Sequence, residues 1–319
     1  MGVCCSSQIH KIDETNSVHE IGLCFESENI DKVGSLFSKV GAKGINQDSA
    51  VLCQKYGMGD GFLGGVFDGH GANGHEVSQI VKTRLPSLLL TQMKLLANSQ
   101  NSKKTLAMYN VVEKWKEACI SAFKVMDKEI KLTHNLDCKA SGTTAVLVIK
   151  QGEHLIIANL GDSRAVLGTM TDQGIKALPL TLDQKPSVQS EAERIRQCGG
   201  RVLALAREPH IQRVWLPEED APGLAMSRSL GDLQLKSHGV TALPEMSSHR
   251  ITPDDQFVIL ATDGVWDVLS NEQVVSVIAS MENKEDAAEA LVHAATTEWK
   301  IKYPNSPIDD CSVVYLSLK

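Results

Sequence analysis

The stretch from Thr144 to Thr169 limits the fold more than any other part of the chain. Two apolar β-type runs, Thr144 to Lys150 and His154 to Leu160, are separated by Gln151-Gly152, and Arg164 to Thr169 continues the pattern after Gly161-Asp162-Ser163. A parallel crossover needs about a dozen residues or more, so connections this short make the runs antiparallel neighbours. Ser49 to Gln54 and Phe62 to Phe67 have the same strand character, and Gln256 to Ala261 and Ser312 to Leu318 repeat it near the far end.

Other periodic segments read as helices. Asn73 and Glu76 form a capping box, after which Val77, Ile80, Val81, Leu85, Leu88 and Leu89 recur at helical spacing, with Pro86 expected to kink or divide the helix. Val112, Trp115, Cys119, Phe123, Met126 and Ile130 put one apolar stripe on a second long helix. Ser190 and Glu193 cap a short helix that stops at Gly199-Gly200, and from there to about Asp232 the chain reads as an irregular surface flap. Ser270 and Gln273 open a helix rich in Val and Ile, and Ala288, Leu291, Ala295 and Trp299 share one face of the last helix. Strands grouped in hairpins with long helices between the groups define an α+β protein, antiparallel sheets with helices packed outside.

At 319 residues and 42% hydrophobic, the chain can bury a large core. Residues 1–32 are polar and lack an apolar period, so they read as a flexible tail, and one folded domain is expected over 33–319. A net charge of -7 with no run of Lys and Arg excludes nucleic acid as a partner. The eight cysteines are scattered without a CxxC pair, which predicts reduced thiols and no zinc site.

No apolar stretch approaches the roughly 18 residues of a membrane span, and no signal-peptide core follows the start, so a chain neither secreted nor transmembrane is expected. Met1-Gly2-Val3-Cys4-Cys5-Ser6 fits the pattern for N-myristoylation of Gly2. One myristoyl chain binds only marginally, and Cys4 and Cys5 are palmitoylation candidates for a second signal. Peripheral contact at the cytoplasmic face of a membrane, such as the plasma membrane, or a cytoplasmic location is the expectation.

Three carboxylates stand at the edges of β-type runs: Asp68 after one, Asp263 after another, and Asp309 just before the last. Oxygen-only ligands without His or Cys companions suit Mg²⁺ or Mn²⁺, and the adjacent Gly69 and Gly264 let backbone and water approach an ion. Any one Asp-Gly pair is an ordinary turn; the three together carry the argument. No glycine-rich phosphate loop of the Walker or dinucleotide type is present.

Seven motifs then occur in a telling order: Lys43-Gly44-Ile45-Asn46-Gln47-Asp48, Phe67-Asp68-Gly69-His70-Gly71, Ser141-Gly142-Thr143-Thr144-Ala145, Gly161-Asp162-Ser163-Arg164, Ala225-Met226-Ser227-Arg228-Ser229-Leu230-Gly231-Asp232, Ala261-Thr262-Asp263-Gly264-Val265-Trp266-Asp267 and Asp309-Asp310-Cys311-Ser312-Val313. From about residue 33 onward the chain resembles the type 2C metal-dependent protein serine/threonine phosphatases, and the flap and the N-terminus look like those of plant members. The resemblance implies a sandwich of two packed antiparallel β-sheets flanked by antiparallel α-helices, a catalytic domain over 33–319, and a monomer acting on phosphoprotein substrates.

It also implies roles. Asp68 bridges two Mg²⁺ or Mn²⁺ ions, Gly69 offers its carbonyl to one, Asp263 and Asp309 complete the other, and Asp48 acts through bound water. Asp162 and Asp267 match positions for a weaker third ion. A water held between the ions attacks phosphorus, and His70 matches the general acid for the departing Ser or Thr oxygen. Lys43 stands where the family commonly has a phosphate-gripping arginine, so a flexible point charge replaces a planar fork. Gln47 and Asp310 replace a common carboxylate and the usual asparagine. The alternative is a catalytically silent scaffold of the same fold that binds phosphoproteins, which retention of the whole ligand set argues against.

Overall fold

The computed structural model describes residues 17–18, 33–57, 59–99 and 111–319. Strands β1 (Ser17–Val18), β2 (Gly34–Lys39), β3 (Asp48–Gln54) and β4 (Phe62–His70) lead into helices α1 (Gly74–Ser99) and α2 (Val111–Leu132). Strands β5 (Gly142–Thr143), β6 (Ala145–Gln151), β7 (His154–Leu160), β8 (Arg164–Thr171) and β9 (Gly174–Pro179) follow, then α3 (Gln189–Gln197). Next come β10 (Arg201–Leu205), β11 (Glu208–Trp215), β12 (Pro222–Leu224), β13 (Leu230–Gly231), β14 (Glu245–Arg250) and β15 (Asp255–Ala261). The helices α4 (Asp263–Trp266), α5 (Asn271–Ala279) and α6 (Ala287–Lys302) precede the last strand, β16 (Cys311–Ser317).

One sheet has the order β1-β2-β16-β15-β8-β9 and the other β13-β5-β4-β6-β7-β14, with β3 also paired to β4. All of these strand pairs are antiparallel, as the short turns require.

Alternation along the strands builds three layers of core. In β6, Val146 and Val148 face the other sheet, whereas Ala145, Leu147 and Ile149 join the residues under α1 and α2. In β15, Val258 and Leu260 point between the sheets, and Phe257, Ile259 and Ala261 pack under α4, α5 and α6. Because both faces of β6 bury apolar residues, parity alone does not fix its register. The tight turn at Gly152, whose φ is 57°, does so by pairing Gln151 with His154.

The expected helical stripes are the buried ones. Val112, Trp115, Cys119, Phe123, Met126 and Ile130 of α2 are all buried, as are Ala288, Leu291, Ala295 and Trp299 of α6. The capping box of Ser270 and Gln273 forms as read.

Several local readings are corrected. The segment after Gly200 is not irregular: β10, β11 and β12 form a three-stranded antiparallel sheet packed on α3 through Ile195, Val202, Val214 and Leu224. Its strands are half-exposed and interrupted by charged residues, so their periodicity is faint. Helix α3 begins one residue before Ser190 with Val188 at its N-cap and no side-chain cap. The amide of Asn73 donates to the carbonyl of Asp137 at 2.9 Å, and Pro86 lies within an undivided α1. Within the stretch read as a tail, β1 pairs Ser17 with Lys39 and Val18 with Ser38. Cys119, Cys138, Cys198 and Cys311 are free thiols, but Cys53 is disulfide-bonded, against the expectation of reduced cysteines. Gly2, Cys4 and Cys5 lie outside the described residues. Among the described residues, no helix is long and apolar enough to cross a membrane.

Candidate active site

The strand registers bring five sequence-distant aspartates to one end of the sandwich. Asp48, at the start of β3, lies opposite Asp68 near the end of β4. Val66 of β4 faces Val146, and Ala145 at the start of β6 faces Leu160 at the end of β7, which puts the turn carrying Asp162 at the same end. Arg164 at the start of β8 faces Ala261 at the end of β15, and Ala261 faces Val313 of β16, so Asp263 and Asp309 arrive there too. Lys39 faces Cys311, which delivers the loop 40–47 with Lys43. Asp68 ends no strand, contrary to expectation: β4 continues through it to His70, held by two-residue β5 on its flank.

Glycine is required beside two of these aspartates. A Cβ at Gly69 would fall 2.4 Å from the carbonyl oxygen of Gly74 and 2.5 Å from that of Gln47, and one at Gly264 would fall 1.9 Å from that of Asp310.

The carboxylates are crowded and short of positive charge. Burial pushes the Asp68 carboxyl well above the usual range, and Asp263, Asp48, Asp162 and Asp309 raise it further. Asp263 is raised likewise, by burial and then by Asp162, Asp309 and Asp267, against a hydrogen bond with Asp68. Asp48 is pushed up to about 8 by burial, in spite of its hydrogen bond from Thr262 and with Asp310 adding repulsion. Asp162 has one oxygen 3.8 Å from Lys185 Nζ, while its Oδ1 is buried without a hydrogen-bond partner. Asp267 sits at the C-cap of α4, its N–H donating to the Asp263 carbonyl at 2.8 Å. Among the described residues, no group of three or more His, Cys, Asp or Glu side chains is gathered closely enough, as they stand, to hold a metal ion.

The two final aspartates have different partners. Asp310 is buried, and its oxygens accept the backbone N–H groups of Gly41 and Gln47, each at 2.7 Å. It fastens the loop of Lys43 to the start of β16. Asp309 instead accepts from Lys43 Nζ and, through Oδ1, from the N–H of Asp310 at 3.0 Å. Burial disfavours the charged form of Lys43, yet Asp309, Asp263 and Asp68 hold its ammonium above the ordinary value, with the side chain still 52% exposed.

His70 Nε2 lies 2.7 Å from Asp232 Oδ2, and its Nδ1 is buried without a partner. Burial favours a neutral Asp232, but His70 and the Ser229 hydroxyl outweigh it and hold the carboxyl below its usual range. An ionised carboxylate can only accept, so Nε2 is the donor.

A family model described as Protein phosphatase 2C matches residues 47–298. The chain belongs to the protein phosphatase 2C family. Probable protein phosphatase 2C 72 of Arabidopsis thaliana is 49% identical, with 100% of this chain and 98% of the relative covered. Probable protein phosphatase 2C 12 of Oryza sativa subsp. japonica is 48% identical over 356 residues, with 100% of this chain and 92% of that protein covered. The crystal structure of a serine-threonine phosphatase 2C from Toxoplasma gondii superposes with a TM-score of 0.80 at 26% identity, over 90% of this chain and 94% of the other. By family this chain is a protein phosphatase, a hydrolase resembling plant members.

In this phosphatase several polar residues escaped the sequence reading. Arg164 makes a two-pronged pair with Asp183 at 2.8 and 2.9 Å, reaches Asn271 at 2.7 Å and lies over the Trp266 ring, tying the Asp162 turn to α4 and α5. Thr262 donates to Asp48 at 2.7 Å. Asp232 closes a motif already noted as Ala225 to Asp232, but nothing in its spacing from His70 links the two. Only the adjacency of β4, β5 and β13 does so.

Proposed function

We propose that the acidic end of the sandwich is a binuclear Mg²⁺ or Mn²⁺ site at which this phosphatase hydrolyses phosphoserine and phosphothreonine in proteins. The supporting observation is the convergence of Asp48, Asp68, Asp162, Asp263 and Asp309, in which burial and mutual repulsion push the Asp68 and Asp263 carboxyls up although Lys43 and Lys185 lie nearby. The donors are all oxygens, and the orphaned Asp162 Oδ1 suits a hard ion. Asp68, the Gly69 carbonyl, Asp263 and Asp309 would hold the two ions. Asp48 would act through water, and Asp162 and Asp267 would serve a weaker third ion. Asp310 is a poor candidate, because both of its oxygens already accept backbone N–H groups. Bound there, the ions supply Lewis acidity toward the phosphate and lower the pKa of an attacking water.

The chain's own groups complete the chemistry. Lys43, half-exposed on its loop, exchanges Asp309 for a phosphate oxygen when substrate arrives. His70 donates a proton to the departing oxygen, so that serine or threonine leaves as the alcohol. Release of phosphate from a phosphoseryl peptide by the full chain should require Mg²⁺ or Mn²⁺, stop with EDTA, and be lost in Asp263→Asn; release unaffected by EDTA would overturn the metal reading.

The N-terminal pattern supports peripheral membrane contact through acylated Gly2 and Cys4 or Cys5. Equal membrane fractionation of the parent and a Gly2→Ala form would exclude it.

A further inference from the structure

We propose that Asp232 is the positioning residue for His70, holding the imidazole by Nε2 so that Nδ1 is the ring atom left for the leaving group. This rests on the reading of His70 as the general acid.

Asp232 is 1% exposed, and its Oδ2 receives both His70 Nε2 at 2.7 Å and Ser229 Oγ at 2.5 Å. Three adjacent strands hold the pair together: His70 of β4 lies opposite Gly142 of β5, and Gly142 lies opposite Gly231 of β13, the residue before Asp232. A Cβ at Gly142 would fall 2.4 Å from Asp232 Oδ2, so the carboxylate passes where only glycine leaves room.

The backbone around Asp232 is held in a disfavoured state. Its φ is 47°, in the left-handed region, a conformation that persists only where surrounding contacts impose it. Those contacts are present: the Asp232 N–H donates to the Ser141 carbonyl at 2.9 Å and the Gly231 N–H to Asp127 Oδ1 at 3.0 Å. Lys236 Nζ then spans Asp127, at 3.2 Å, and the Ser229 carbonyl, at 2.5 Å. A buried ion pair contributes little net stability, so this arrangement is better understood as fixing one ring orientation, with Nε2–H kept on Asp232 before and after Nδ1 gives up its proton.

In the step concerned, the attacking water forms its bond to phosphorus. The bond from phosphorus to the serine or threonine oxygen breaks with its electron pair left on that oxygen, which takes the proton from His70 Nδ1. Solvent later returns a proton to the ring.

The test uses the full chain with Mg²⁺ and two substrates, a phosphoseryl peptide, whose alkoxide needs a proton, and p-nitrophenyl phosphate, whose leaving group does not. His70→Asn should lower kcat on the peptide by on the order of 100-fold and on the aryl ester far less. Asp232→Asn should show the same asymmetry at about tenfold or more, and the double variant should be no slower than His70→Asn. An equal loss on both substrates in Asp232→Asn, or an effect that multiplies that of His70→Asn, would overturn the positioning role. If His70→Asn itself slows both substrates equally, the general-acid reading fails and takes the proposal with it. Should Asp232→Asn not fold, histidine-selective ¹⁵N spectra of the unsubstituted protein decide: a downfield Nε2-bound proton, lost in His70→Asn, supports the pair, and its absence overturns it.

Discussion

Thr262 and Asp48 join the two sheets within the acidic end of the sandwich. Thr262 Oγ1 donates to Asp48 Oδ2 at 2.7 Å and accepts the Ser312 N–H at 3.0 Å, so one buried hydroxyl ties β3 to the junction of β15 and β16. Thr262→Val keeps the shape and removes both bonds. It should cost about 1–3 kcal/mol, because a buried carboxylate and a buried N–H lose a partner together. Chemical denaturation checks this, and an unchanged midpoint would show that the bond is not a sheet-to-sheet tie.

Gly69→Ala tests the close approach beside Asp68. The new Cβ would press on the carbonyls of Gly74 and Gln47, neither of which is a flexible side-chain end. Stability should fall by about 1–3 kcal/mol. Phosphatase activity should fall roughly 100-fold, because the shift moves Asp68 and His70 together. Thermal melts and peptide turnover measured side by side would separate the two losses.

Glu191 predicts a stability change in acid. Burial would raise its carboxyl, but Arg228, Arg194 and the Ser227 hydroxyl hold it down at about 2. Arg194 pairs with both oxygens at 2.7 and 2.8 Å, Arg228 at 2.7 and 3.0 Å, and Ser227 at 2.5 Å. A depressed folded-state pKa gives stability that is full above the unfolded value, near 4.5, and lost as pH falls from there toward 2. The stability gap between the parent and Glu191→Gln should therefore be widest near neutrality and narrow below about pH 4.5. A constant gap on denaturant titration at each pH would contradict it.

Lys43→Arg should keep or improve turnover of a small phosphate ester, since a guanidinium can still pair with Asp309 and grips phosphate with two parallel bonds. Lys43→Met should raise KM more than it lowers kcat. Collapse of activity in Lys43→Arg would mean that the phosphate binds elsewhere.

Much of this architecture was legible because the long strands and helices carry strong patterns. The continuous apolar runs of β6 and β15 are buried on both faces, as strands between two core layers must be, and the stripe on α2 matches its buried face residue by residue. What escaped was short or non-local. Strand β9 carries no apolar/polar alternation to mark its faces, since Leu178 is exposed beside buried Ala177, and β10 to β12 were hidden by turns and charged residues. Of the site, Asp68, Asp263 and Asp309 stood out as carboxylates beside β-type runs and Asp48, Asp162 and Asp267 came only from the resemblance, whereas the different partners of Asp309 and Asp310 depend on which donors reach them. Asp232 and Thr262 are ordinary polar residues in sequence, and only strand pairing gives them partners.

Strand β16 lies between β2 and β15, so the latest of the described strands to be made occupies an interior position in its sheet. β2 therefore gains its second neighbour, and Asp309 and Asp310 reach the Lys43 loop, only once this last strand is in place. The acidic end is thus assembled from segments far apart along the chain and closes only with β16 in its sheet.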